Sequence, residues 1–327
     1  MFAAWLLASL AIGAGGTWLA RRYALRHALL DAPGERRAHT QPTPRGGGIG
    51  IVVALLLAGV WLLREVVDPV AFGAMLAGFA LVAFVGWVDD HRPLSPWTRL
   101  AVQGIAAALL ACAMYRQSHE PVLALAAFVL SMGLANVWNF MDGINGIAAT
   151  QAILVGLAIA ILQAGPGSWW AWALVAATLG FLPFNFPKAR VFMGDVASGA
   201  LGFALAALLM QGLIGAQPIH WALWALPPSA FLIDASLTLL GRMRRGERWW
   251  EPHALHAYQK WAQRRGSHVA VTWTYAAWTC IAIILMNVLS AAPLTMAGVI
   301  VVVASWYMTG AGIWLLLQKP SDKGVPR

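Results

Sequence analysis

Runs of seventeen or more mostly apolar residues recur from one end of this 327-residue chain to the other, and nothing constrains its fold more. At about 1.5 Å of rise per helical residue, each run approaches the roughly 30 Å of a hydrocarbon core, and each is bounded by Gly, Pro or charge. We count eleven, at about 2–20, 46–63, 70–88, 98–115, 121–137, 147–163, 168–184, 197–214, 219–241, 269–290 and 293–316. The runs at 121–137 and 147–163 are short, which sets the expectation at an all-α polytopic membrane protein with about 10–11 transmembrane helices. With 60% hydrophobic and 11% charged residues, the chain is far more apolar than soluble domains of its length. It reads as a single integral membrane domain over 1–327, with 242–268 as its longest polar loop.

Lys and Arg resist translocation, so the loops that hold them define the inner face. With the N-terminus outside and the C-terminus cytoplasmic, twenty of the 22 basic residues fall on that face, leaving Arg64 and Arg116 outside. The net charge of +9 is therefore mainly a topology signal, and its dispersal over short loops argues against nucleic-acid binding. The two cysteines, Cys112 and Cys280, sit in apolar runs and support neither a disulfide framework nor a metal site. The first run lacks a basic leader and is followed by Arg21-Arg22, as expected of an uncleaved first span.

The outer connections are short, and the inner ones carry nearly every residue capable of chemistry. In the first, HTQPTPRGGGIGI, Arg45 precedes three glycines; an Arg and bare Gly amides suit a phosphate, and a flexible helix entrance is the plainer alternative. In the second, GWVDDHRPLSPWTR, Asp89 and Asp90 end an apolar run; a carboxylate pair suits Mg2+ or a proton, or a solvated helix end. The third, NVWNFMDGINGIA, spaces Asn136, Asn139 and Asp142 three apart, on one face if helical, with Asn145 following; four such residues exceed what a helix cap needs. The fourth, NFPKARVFMGDVASGALGF, puts Asp195 at a helix start, as a cap or as a hard oxygen ligand for a metal bound to phosphate. The fifth, WWEPHALHAYQKWAQRRGSH, offers His253 and His256 among basic and aromatic residues, a setting for a diphosphate and too few ligands for zinc. Asp234 lies inside the ninth run, where an intramembrane acid marks a functional position whose role the pattern leaves open.

In this order and on one predicted face, PRGGGIGI, GWVDDHRPLSP, NVWNFMDGINGIA, NFPKARVFMGDVASG and PHALHAYQ resemble the polyprenyl-phosphate N-acetylhexosamine-1-phosphate transferases of glycosyltransferase family 4. The resemblance spans roughly 30–265. It implies that a lipid phosphate, undecaprenyl phosphate in bacteria, attacks the β-phosphorus of a UDP-N-acetylhexosamine, releasing UMP on the cytoplasmic face of the inner membrane with Mg2+ as cofactor. It implies Asp195 and Asn139 as metal ligands and Asp89 and Asp90 as the catalytic acidic pair. Arg45, Asp142, Asn145, His253 and His256 become substrate contacts, and a homodimer is compatible with it.

Close relatives often read Pro-His-Arg-Ser-His before the Tyr-Gln, where this chain has Ala254 and Leu255, so a basic contact is absent. The Pro-x-His-His-His pattern of the peptidoglycan branch is also absent, which favours the surface-polysaccharide branch: O-antigen or a related glycan begun with GlcNAc-1-phosphate or a deoxy-HexNAc-1-phosphate. The phospho-MurNAc-pentapeptide reaction is the alternative within the family. A transporter is the competing class, disfavoured because its acids would gather near the midplane in repeated halves.

Overall fold

The computed structural model describes residues 1–31, 41–163, 165–248, 250 and 255–318. Twelve α-helices lie among them: α1 (Phe2–Arg26), α2 (Ile49–Leu62), α3 (Pro69–His91), α4 (Pro96–Ser118), α5 (Pro121–Met141) and α6 (Ile147–Leu162), then α7 (Pro166–Asn185), α8 (Asp195–Gly215), α9 (Ser229–Arg244), α10 (Ala257–Arg265), α11 (His268–Ala291) and α12 (Met296–Gln318). Seven of the described helices are separately long and apolar enough to cross a membrane, namely α1, α3, α4, α5, α8, α11 and α12. The other expected spans fall on α2, α6, α7 and a bent pair. The chain is an all-α polytopic membrane protein.

Helix starts follow from local chemistry. Asp68 accepts from the Val70 and Ala71 amides at 3.1 and 3.0 Å, with Pro69 opening α3. Ser95 caps α4 in the same way ahead of Pro96. The ninth apolar run, expected as one span over 219–241, is broken instead. A 3₁₀ helix (Pro218–Ala225) meets α9 at 69°. Pro227 and Pro228 sit at the break, where neither ring can donate a backbone hydrogen bond to a continuing helix.

α8 is the centre of the bundle, with 83% of its apolar window buried, and α12 is the periphery at 11%. α8 packs chiefly on α5 and α3, and glycines set the spacing. A Cβ on Gly202 would lie 2.1 Å from the Leu134 carbonyl oxygen, and one on Gly86 2.1 Å from the Asp195 carbonyl oxygen. The α3–α8 contact therefore places the end of the acidic-pair helix against the start of the Asp195 helix.

At the same end of the bundle, β1 (Leu30–Asp31) pairs antiparallel with β2 (Thr43–Pro44), Leu30 opposite Pro44. The connections that follow α1, α3, α5, α7 and α9 all meet here, as the contacts below establish.

Candidate active site

The first and fourth polar loops are stitched together by backbone. Phe192 N–H donates to the Pro44 carbonyl at 2.8 Å, and the Gly47 and Gly48 amides donate to the Phe192 and Met193 carbonyls at 2.9 Å each. The glycine run thus serves close packing: those two amides are engaged, and a Cβ on Gly48 would fall 2.2 Å from the Ala197 Cβ. Thr17 of α1 closes the seam, its hydroxyl donating to the Gly47 carbonyl at 3.1 Å.

This seam receives the acidic pair. Asp90, 4% exposed, accepts from the Asp195 amide through Oδ1 and the Val196 amide through Oδ2, both at 3.1 Å. It therefore caps the first turn of α8, where a carboxylate also meets the positive end of the helix dipole. Arg45 donates to the Asp90 backbone carbonyl, and its Nε is buried without a partner among the described residues. Asp89 accepts from the Leu94 amide at 2.6 Å and from Arg99 Nη1 at 2.8 Å. The same Arg99 nitrogen stands 3.8 Å from Asp195 Oδ2, so one guanidinium bridges the acidic pair and the fourth loop.

Asp195 is the open member of the set, its side chain 38% exposed. Its Oδ1 accepts from Asn139 Nδ2 at 2.7 Å, and Asn139 also donates to Ser198 Oγ at 3.0 Å. With its amide nitrogen committed to Asp195 and Ser198, Asn139 has its amide oxygen available to a cation. Asp142, just past the end of α5, is partly buried. Burial first, and then the negative charges of Asp195 and Asp90, push its carboxyl well above the usual carboxylate range. Asn136, which sequence spacing aligned with these two, donates instead to Gln103 Oε1 on α4 and to the Met132 carbonyl.

Asn145 ties the third loop to its neighbours. Its side chain donates to the Pro187 carbonyl at 3.1 Å, its amide donates to His268 Nδ1 at 3.5 Å, and its carbonyl accepts from Thr272 at 2.9 Å. Asn185 is its counterpart from the fourth loop, 3% exposed, accepting from the Gly146 amide at 2.7 Å and donating to the Val191 carbonyl at 2.9 Å. Asn185→Ala should leave a buried Gly146 N–H and a buried carbonyl unpaired, for a loss of about 2–4 kcal/mol. Thermal unfolding in detergent reads this directly, and an unchanged midpoint would show that the latch carries no stability.

Of the histidine pair, His253 lies outside the described residues. His256 is described, 3% exposed, at the N-cap of α10, with Nδ1 3.7 Å from Asp234 Oδ1. Its backbone amide donates to Gln259 Oε1 at 3.4 Å. At the end of α9, Arg242, Glu247 and Arg245 form an ion-paired corner, and the two guanidiniums hold the Glu247 carboxyl down at about 2.

Sequence spacing did not single out Arg99, Asn185 or Ser198. Arg99 carried a signal, being the one basic residue in the first turn of an apolar helix that follows an acidic pair. Asn185 and Ser198 carried none, because the third-loop partners that tie them to the site, Gly146 and Asn139, lie 39 and 59 residues away.

From Arg99 an apolar groove of about 350 Å³ runs between α4, α5 and α9, walled by Leu100, Met132, Val137, Phe140 and Leu239. Among the described residues, no three Asp, Glu, His or Cys side chains converge as a closed metal cage requires. The donors brought together are Asp195 and Asn139: hard oxygens, few in number, partly open. That is the chemistry of a Mg2+ site completed by water and substrate phosphates, and the set fits one.

Comparison with known proteins gives the family. The model of glycosyl transferase family 4 matches residues 72–213. A decaprenyl-phosphate N-acetylglucosaminephosphotransferase of Mycolicibacterium smegmatis is 30% identical over 292 residues, covering 76% of this chain and 72% of the relative. An undecaprenyl-phosphate alpha-N-acetylglucosaminyl 1-phosphate transferase of Yersinia pestis is 29% identical over 267 residues, covering 74% and 71%. A phospho-N-acetylmuramoyl-pentapeptide-transferase of Nostoc punctiforme is 33% identical over a shorter stretch of 241 residues, covering 63% and 64%. The matched region runs from the first turn of α3 almost to the end of α8, and so holds Asp89, Asp90, Arg99, Asn139, Asp142 and Asp195 together: the chain belongs to glycosyl transferase family 4, an enzyme family of membrane-embedded phosphosugar transferases.

Proposed function

We propose that the protein transfers a HexNAc-1-phosphate, GlcNAc-1-phosphate or a deoxy-HexNAc-1-phosphate, from a UDP-sugar to undecaprenyl phosphate, releasing UMP and starting O-antigen or a related surface glycan. One observation carries this reading: Arg99 stands between Asp89 and Asp195 at the head of a groove whose walls are apolar. A lipid phosphate fits that shape, with its prenyl tail along α4, α5 and α9 and its head against the guanidinium.

In the reaction an oxygen of the lipid phosphate forms a bond to the β-phosphorus of the donor as the bond from that phosphorus to the bridging oxygen of UMP breaks. Two dianions go in and two come out, so the stoichiometry requires no general base. With a second pKa near 6, a phosphomonoester is already largely dianionic at neutral pH. Asp90 accordingly has a holding role: both its oxygens accept amides of α8, which orients Asp195. Asp89 fixes Arg99, and Arg99 holds the attacking phosphate in line. Asp195 and the amide oxygen of Asn139 are the residues that would hold Mg2+, and Asp142 lines the nucleotide side. When bound, the ion would neutralise the diphosphate oxygens as charge shifts toward UMP. His253 and Arg45 are assigned to the donor phosphates, and Asn145 to the shape of the nucleotide wall. The site faces the cytoplasm of the inner membrane, on the strength of the basic residues around it.

The test is transfer itself. Membranes holding the protein, undecaprenyl phosphate, Mg2+ and donors labelled in the sugar should yield butanol-extractable label with at least one UDP-HexNAc, GlcNAc and deoxysugars included. No label with any of them would sink the assignment. Label only from UDP-MurNAc-pentapeptide would move the protein to the peptidoglycan branch, which the Nostoc relative keeps as the second reading.

A further inference from the structure

Among the described residues, a carboxylate outside the site has both of its oxygens filled. Asp234, on α9 and 2% exposed, accepts five hydrogen bonds from four helices. The Ala257 amide, Thr238 hydroxyl and Trp314 indole donate to Oδ1 at 2.8, 3.2 and 3.2 Å. The Tyr258 amide and Tyr275 hydroxyl donate to Oδ2 at 3.0 and 2.7 Å. Two of these donors are the first backbone amides of α10, so an acid on a membrane helix caps the helix of the fifth polar loop. A buried carboxylate is costly unless its lone pairs are filled in this way.

The link continues past α10. Tyr258, 0% exposed, turns its hydroxyl to the end of α5 and donates to the Phe140 carbonyl at 3.0 Å. The same oxygen abuts Gly143, where an added Cβ would lie 2.2 Å from it. Burial, and then the charges of Asp234 and Asp142, push the phenol well above its ordinary range, which keeps it a donor. Asp142 stands between Phe140 and Gly143 in sequence with only Met141 interposed, so Tyr258 braces the stretch that presents it.

We infer that Asp234 and Tyr258 are positioning residues that seat the fifth polar loop against the Asp142 wall, and that they thereby govern affinity for the nucleotide-sugar donor more than affinity for the lipid acceptor. The inference rests on the transferase reading for its kinetic meaning. Its weighting toward the donor follows from placement: the acceptor groove begins at Arg99 and draws no wall from α10, and it meets this anchor only through Phe140, whose carbonyl Tyr258 holds, through Trp250 of the fifth loop, and through Ala235 next to Asp234.

Tyr258→Phe removes one hydroxyl and keeps the ring. It should raise the donor KM about fivefold, the equivalent of one neutral hydrogen bond, with a smaller rise in the acceptor KM. Asp234→Asn puts an amide nitrogen against two or three donors and should raise the donor KM tenfold or more. A lowered melting temperature with both KM values unchanged would overturn the inference in favour of a merely structural role, as would equal rises in both KM values. Should the parent transfer nothing, the transferase reading fails by itself, and hydrogen exchange decides the anchor. Faster exchange of the α10 amides in Tyr258→Phe supports it, and unchanged exchange overturns it.

Discussion

Asp195→Asn is expected to lower sugar-phosphate transfer by about 10³-fold or more, with the protein still folded and inserted. The substitution is nearly isosteric, and the Asp195 backbone amide that Asp90 accepts is untouched. What is lost is the one charge of the carboxylate set that is substantially open to the cavity. Asp90 is closed by two amides and Asp89 by an amide and Arg99, so neither can replace it. Transfer of labelled sugar phosphate across a Mg2+ titration is the measurement. A rate within tenfold of the parent at saturating Mg2+ would mean that Asp195 is a helix-start residue and the metal assignment is wrong.

Gly194→Ala should have the largest effect on stability, about 3 kcal/mol or more. Gly194 has φ +81°, in the region that L side chains rarely adopt. A Cβ there would lie 2.6 Å from Asp90 Oδ2 and 2.8 Å from the Gly46 Cα, so the methyl strikes a buried carboxylate and a neighbouring backbone together. The seam between the first and fourth loops has no direction in which to yield, since the Gly47 and Gly48 amides clamp it from the other side. Gly104→Ala is the control: nothing lies within 4 Å of its added Cβ on α4, and it should be neutral or slightly stabilising. Thermal unfolding of the pair in detergent decides the matter. Equal midpoints would show that the seam is pliable and that its glycines are dispensable.

Much of this arrangement is legible in the chain. Apolar runs report membrane helices because the bilayer admits few alternatives, and ten of the eleven runs emerge as single helices. The ninth is a pair of helices bent by 69°, and Pro227-Pro228 marks the bend, which hydropathy alone does not register. The gathering of Asp89, Asp90, Asn139, Asp142 and Asp195 at one end was legible too, because acids cannot rest among lipid tails. Their division of labour was not. Asp89 and Asp90 are adjacent in sequence, yet one meets Arg99 ten residues on and the other meets α8 more than a hundred residues away. The GGG run looked apt for phosphate, and packing took two of its amides. Asp234 had only its depth in the membrane to mark it, since its donors come from amides, an indole and hydroxyls that no pattern pairs with it.

The sequence by itself therefore determined a membrane bundle, its polar end and the residue types available for chemistry, because solvent preference and helix periodicity are local properties of each segment. Only the tertiary structure decided which carboxylate stays open, which ones hold the scaffold, and which backbone amides packing takes up. Those are questions of partner and distance. They are answered where α3, α5 and α8 close to glycine contact and bring together side chains whose positions in the chain say nothing of one another.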